Sequence, residues 1–199
     1  MVIVGTGGMA KDMVGSLARD YRHKEFYFFN DRSDCIEDYF VDRYKIIHSL
    51  EELKEIFKTK GTDFVSAIAN PVQRYRMNEK IRNIGGNLVT VMSLKEHVSE
   101  FTKIGAGTII QPDIVVSSNV EVGEGTFFNC GTIIGHDVKI GRYCSFGPGV
   151  RVLGNVEIGE FSYIGCNTII APGVKIGEKV RIGMGKIITE NISSNAKIS

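Results

Sequence analysis

The sequence predicts two domains of different class: an α/β unit over residues 1–92 and an all-β unit of short parallel strands over residues 104–199, with a linker at 93–103. Two observations carry this. In the first half, short apolar runs alternate with stretches of helical period, the pattern of βαβ units in an open parallel sheet. In the second half, an apolar residue recurs at every sixth position from Ile104 to Ile188 without an insertion. The composition sets broad limits. Lys and Arg number 24 against 23 Asp and Glu, which leaves no basic field for nucleic acid. No run is long and apolar enough to cross a bilayer. The opening "MVIVGTGGMAKD" has neither a charged leader region nor a cleavage site, so a cytoplasmic protein is expected. Cys35, Cys130, Cys144 and Cys166 form no CxxC pair and no metal-ligand spacing, consistent with a reducing compartment and no metal site.

The first-half elements follow in order. "VIVG" (2–5) reads as a buried strand and residues 9–20 as a helix. "EFYFFND" (25–31) is a second strand. "YKIIHS" (44–49) leads into a helix at 50–60 with Leu50, Leu53, Ile56 and Phe57 on one face. "DFVSAIAN" (63–70) is a further strand, and residues 72–86 form a helix closed by Gly85 and Gly86. "NLVTVM" (87–92) is the last strand. Ligands of such sheets bind outside the carboxyl ends of the strands.

The six-residue period covers fifteen positions, all aliphatic or Phe, and Gly follows nine of them. A helix cannot keep every sixth residue on one face, whereas short strands joined by tight corners can. The glycines are expected to supply backbone freedom at those corners. "KIGAG", "EVGEG", "KIGRY", "EIGEF" and "KIGEK" recur every eighteen residues, so three hexapeptides make one coil and five coils stack about 4.8 Å apart. This half resembles the left-handed parallel β-helix of the hexapeptide-repeat acyltransferases.

Within it, His136 in "IGHDVK" is the only histidine among the repeats. It falls near a corner and outside the apolar lumen. Its eighteen-residue column reads Ser118, His136, Gly154, Pro172, so the next coil offers no side chain against the imidazole. Asp137 follows and can accept the proton of one ring nitrogen, fixing the tautomer and leaving the other basic. That arrangement suits a general base. A β-helix carbonic anhydrase would need three histidine ligands to zinc, and one histidine closes that branch. Cys144 occupies a small, buried repeat position and is expected to pack, with no cysteine acting as nucleophile.

The whole chain resembles a narrower family, the nucleotide-sugar acetyltransferases that join a small Rossmann-like domain to a left-handed β-helix. The matching pieces are "IVGTGGMAKDM", "FFNDRS", "AIANPVQRYRMNEKI", "NCGTIIGHDVKIG" and "VLGNVEIG". The family includes N-acetyltransferases of UDP-4-amino sugars and of perosamine, and sialic acid O-acetyltransferase-like proteins. The resemblance implies His136 as general base, Asp137 enhancing its basicity, and acetyl-CoA as co-substrate near Ser145, Gly154, Cys166 and Gly183. It also implies a homotrimer with the acetyl-CoA cleft shared between subunits. A general base is what the chemistry asks for, because an amine or hydroxyl attacks a thioester only as a neutral nucleophile.

The loop Gly5-Thr6-Gly7-Gly8-Met9-Ala10 follows a strand and opens a helix, so its N–H groups can face a phosphate. With Asp31 and Arg32 after the second strand and Asn70 after the fourth, it is expected to bind the nucleotide sugar. Met9 stands where relatives often carry a histidine near the sugar. N-acetylation of a nucleotide-linked amino sugar, O-acetylation of a sugar hydroxyl, and a non-catalytic trimeric scaffold remain the three readings.

Overall fold

A computed structural model describes residues 1–21, 24–93 and 97–199. They form two compact units, residues 1–69 with 73–89, and residues 90–199 with 70–72.

The first unit is an open sheet with helices. In chain order it runs β1 (Val2–Val4), α1 (Gly8–Asp20), β2 (Tyr27–Phe29), β3 (Tyr39–Phe40), β4 (Tyr44–Ile47), α2 (Leu50–Lys60), β5 (Asp63–Ser66), α3 (Pro71–Arg82) and β6 (Asn87–Leu88). Strand order is β3-β4-β2-β1-β5-β6, parallel except for the β3–β4 hairpin. The helices form where the sequence favours them. Ala10, Met13 and Val14 give α1 a buried stripe at helical spacing. The Ser49 hydroxyl caps α2 by accepting from the Glu52 N–H, with Glu51 and Glu52 in the first turn and Lys58 and Lys60 in the last. Pro71 starts α3, where its missing N–H costs nothing. Val2, Val4, Phe29, Ile47, Leu53, Phe64 and Ile81 pack into one core.

The winding reverses at β1. The chain moves outward through β2 and β4, then returns to pair β5 on the other side of β1. That reversal opens a crevice past the carboxyl ends of β1, β2 and β5. Two expectations change here. The β3–β4 hairpin is additional to the parallel units, turning through Val41 and Asp42, both at positive φ. The expected strand 87–92 is divided, with Asn87–Leu88 on this sheet and Val91–Met92 in the second unit.

The second unit is a left-handed β-helix of three parallel ladders. Val91–Met92 through Lys197–Ile198 form a first ladder of seven strands, His97–Val98 through Ile187–Ile188 a second of six, and Lys103–Ile104 through Lys175–Ile176 a third of five. Partners are eighteen residues apart along almost the whole length, as in Ile133 with Arg151 and Lys139 with Glu157. The coils therefore begin at Val91, not at 104. Of the expected linker 93–103, His97–Val98 and Lys103 already belong to rungs, and residues 94–96 lie outside the described residues.

The lumen is what the six-residue period predicts. Ile110, Val116, Phe128, Ile134, Phe146, Val152, Ile164 and Ile170 are buried in one cluster, with Phe128 stacked on Phe146 at 4.9 Å. The small residues facing them satisfy their polar atoms locally: Thr108 donates to the Gly105 carbonyl, Ser162 to Gly177 and Thr168 to Gly183. Cys144 is fully buried among them and its thiol points at the Gly159 carbonyl 3.2 Å away, a packing role.

The periodic glycines serve a purpose other than the one expected. Backbone freedom is used two residues later, where Asn119, Asp137, Asn155, Tyr143 and Gly173 hold the left-handed conformation. The glycine after each lumen residue is instead a point of close approach. A Cβ on Gly105 would sit 2.5 Å from the Glu124 nitrogen, and one on Gly141 2.6 Å from the Glu160 nitrogen. In the column of Gly105, Gly123, Gly141, Gly159 and Gly177 the coils leave no room for a side chain at that position.

Candidate functional site

Two features stand out, one in each unit. In the β-helix, residues 135–138 form a corner between the second and third ladders, which leaves the His136 side chain 63% exposed and Asp137 43% exposed. Asp137 holds φ +59, a conformation that Asp tolerates because its short polar side chain bonds locally. Its Oδ2 lies 2.7 Å from His136 Nδ1, and its Oδ1 accepts from the Asn119 amide at 2.6 Å. The Asn119 amide first, and the imidazole second, hold the Asp137 carboxyl below the usual carboxylate range. An ionised carboxylate only accepts, so in the neutral imidazole Nδ1 carries the ring proton and Nε2 the lone pair.

Gly154 completes the corner. A Cβ built there would lie 2.7 Å from both Cε1 and Nε2 of His136, so that ring edge rests against a backbone without a side chain. Gly154 is not at positive φ, so the imidazole and not the backbone conformation demands glycine here. The Gly154 N–H finds no acceptor among the described residues, although its neighbours Leu153 and Asn155 donate to Ile170 and His136. The corner thus pairs a basic nitrogen with a free backbone donor.

The other β-helix expectations fall elsewhere. Cys166 and Gly183 sit on the corner between the first and second ladders, and Ser145 lies in the first ladder, 1% exposed. Within one chain these three are at the far side of the second ladder from His136, Asp137 and Gly154.

In the first unit, a cleft of 650 Å³ opens past β1, β2 and β5. Of the residues expected to bind the nucleotide sugar, Gly5, Gly7, Asp31 and Arg32 line it, whereas Gly8, Met9 and Asn70 do not. Gly8 opens α1, Met9 is half-buried in its first turn, and Asn70 is exposed after β5. Gly5 holds φ +103 with the Ala67 carbonyl close by, so the turn into α1 requires glycine. The N–H groups of Gly7 and Gly8 donate to nothing among the described residues, as at an anion-binding helix start. Asn30 donates to the Thr6 hydroxyl at 2.7 Å and ties the end of β2 to this loop. Asp31 pairs with Lys80, and Arg32 grips Asp34 through two bonds of 2.9 and 2.6 Å. Arg76 lines the same cleft without an ion pair among the described residues.

Sequence reasoning missed Asn119, Arg76 and Lys80. Asn119 stands eighteen residues before Asp137, in a column never read beside that of His136. Gln73, Met77 and Lys80 follow helical spacing on α3, with Arg76 beside them, which puts them on one face but does not say that this face turns to the cleft.

Comparisons with known proteins agree with this division. Residues 1–81 match the model of the PglD N-terminal domain, and residues 119–154 and 155–190 match that of the bacterial transferase hexapeptide repeat. GDP-perosamine N-acetyltransferase of Escherichia coli O157:H7 is 35% identical over 88 residues, 44% of this chain and 40% of that relative, so the match spans less than half of it. Among solved structures, WeeI from Acinetobacter baumannii AYE superimposes with a TM-score of 0.90 at 23% identity, covering 100% of this chain and 95% of its own. A variant of perosamine N-acetyltransferase from Caulobacter crescentus, in complex with CoA and GDP-perosamine, gives 0.89 at 22% identity over 98% of this chain and 91% of its own. The chain thus joins a stretch that matches the PglD N-terminal domain to one that matches bacterial transferase hexapeptide repeats, in the fold that these solved structures share.

Proposed function

We propose that this protein is an acetyl-CoA-dependent N-acetyltransferase acting on an amino sugar carried by a nucleoside diphosphate. The observation that carries the reading is the His136 imidazole, held at Nδ1 by Asp137 and laid against Gly154 on an exposed corner. His136 Nε2 takes a proton from the sugar amine as its nitrogen bonds to the thioester carbonyl carbon. The Gly154 N–H donates to the developing oxyanion. The carbon–sulfur bond then breaks, and the imidazolium returns the proton to the departing thiolate, so no acyl-enzyme forms. In the first unit the loop Gly5–Gly8 and Arg76 take the diphosphate. The names of the similar proteins support N-transfer over O-transfer, because the curated relative acetylates nitrogen.

The separation of His136 from Ser145, Cys166 and Gly183 supports a homotrimer, in which the corner of one chain meets the opposite edge of the next and acetyl-CoA lies between them. Val115, Ile133 and Ile187 expose apolar side chains outward along the second ladder, a surface suited to such a contact. No helix among the described residues is long and apolar enough to cross a membrane, and the reaction belongs in the cytoplasm, where its thioester is supplied. Thiol release from acetyl-CoA with a panel of GDP- and UDP-linked amino sugars tests the reading. Turnover requiring a free amine on the sugar is expected. Absence of turnover with every amino sugar, or an alkali-labile ester product, would refute it. Light scattering should return three times 22.0 kDa, and a monomer mass at working concentration would remove the shared cleft.

A further inference from the structure

Resting on the reading of His136 as a base, we propose that Asn119 is a positioning residue that fixes the Asp137 carboxylate so that the imidazole is presented as a single tautomer. A lone exposed carboxylate beside a histidine is free to rotate and can meet either ring nitrogen only intermittently. Here both oxygens are engaged: Oδ1 accepts from the Asn119 amide at 2.6 Å while Oδ2 meets His136 Nδ1 at 2.7 Å. The three side chains form a line across two coils, with Asn119 one rung below Asp137 in the same column. All three are solvent-exposed, so screening leaves little net Coulomb energy. What the bond supplies is direction.

A simpler reason for asparagine at 119 is its φ of +58, which Asn adopts readily. That reason is insufficient. Asp113, Asn155, Asn167 and Asn195 occupy the same left-handed region at other corners, and none makes a side-chain hydrogen bond among the described residues. Asn119 alone of these reaches a carboxylate, and that carboxylate is the one touching His136.

Asn119→Gly separates the two roles, since glycine keeps the left-handed backbone and removes only the amide. Thermal stability should be unchanged. Nitrogen NMR of the His136 ring should change from one dominant tautomer to a mixture. The kcat for acetyl transfer should fall about tenfold with the KM for acetyl-CoA unmoved. In an Asp137→Ala background the same substitution should cost nothing further, because Asn119 acts only through Asp137. An unchanged tautomer signal in Asn119→Gly overturns the inference, as do losses that add in the double variant. The NMR measurement needs no turnover, so it decides the role of Asn119 even if the acetyl-transfer reading itself fails.

Discussion

Gly154→Ala adds a single methyl group at the one place where the coil above meets the imidazole. The added carbon would lie 2.7 Å from Cε1 and Nε2 of His136. Carbon contacts are comfortable at about 3.5–4.0 Å, so the ring must retreat by about 0.8–1.3 Å. The backbone does not resist, because Gly154 is outside the left-handed region. The ring is also exposed on its other side, so folding should change by less than about 0.5 kcal/mol. The retreat does stretch the 2.7 Å bond to Asp137 and takes Nε2 away from its working position. Misplacement of a reacting group by about 1 Å costs roughly 100-fold, or about 2.7 kcal/mol of transition-state stabilisation. Steady-state thiol release, run beside thermal melting, measures both quantities. A variant that melts with wild-type protein and turns over within twofold of it would refute the placement of the base at this corner. Gly154→Val should do the same damage more severely while nucleotide-sugar binding to the first unit persists.

Removing the proposed base, His136→Ala should lower kcat by about two to four orders of magnitude without moving the melting temperature, and Asp137→Ala should cost less. If His136→Ala lost stability and activity together, the imidazole would be structural. The two kinds of glycine should separate in urea titrations: Gly141→Asn drives a Cβ into the Glu160 backbone and should cost about 1–3 kcal/mol, whereas Gly173→Asn, at φ +73 in open space, should cost under about 0.5 kcal/mol. In the cleft, Arg76→Ala should weaken nucleoside diphosphate binding about tenfold by calorimetry and leave acetyl-CoA binding unaltered; equal affinities would move the diphosphate elsewhere.

Much of this was legible because the repeat is rigid in sequence. A step of six from Ile104 marks the lumen, and a step of eighteen gives the ladder partners of Ile133 and Lys139 and the placing of His136 beneath Gly154. The period failed at the first coil, since Val91–Met92 and His97–Val98 enter the ladders before the glycine signature begins. Those rungs are set by pairing with later coils, which no local pattern reports. The purpose of the repeated glycines was misjudged for a related reason. Conformational freedom can be inferred from residue type, but the distance between coils is a tertiary quantity. Ser145, Cys166 and Gly183 lie on another side of the three-sided coil from His136, a separation that the eighteen-residue step also gives. In the first unit the loop at Gly5 was readable from its glycines. Arg76 and Lys80 were not, because they reach the cleft from a helix whose inward face depends on how α3 packs.

An architecture with an eighteen-residue turn keeps its walls in register when it changes length by whole turns, and other changes have to be absorbed at a corner, as in the sixteen-residue step from Arg181 to Lys197. The corner proposed for catalysis occupies three successive rungs, Asn119, His136 with Asp137, and Gly154. The next coil meets the corner through the Gly173 N–H, which donates to the Gly154 carbonyl, and the distal stretch begins beyond it. Duplication or loss of a complete turn in that distal stretch would leave the chemistry intact, while the same event between Asn119 and Gly154 would separate its parts. The stack therefore behaves as a ruler with one fixed graduation, extensible on its far side and intolerant of change only across those three marks.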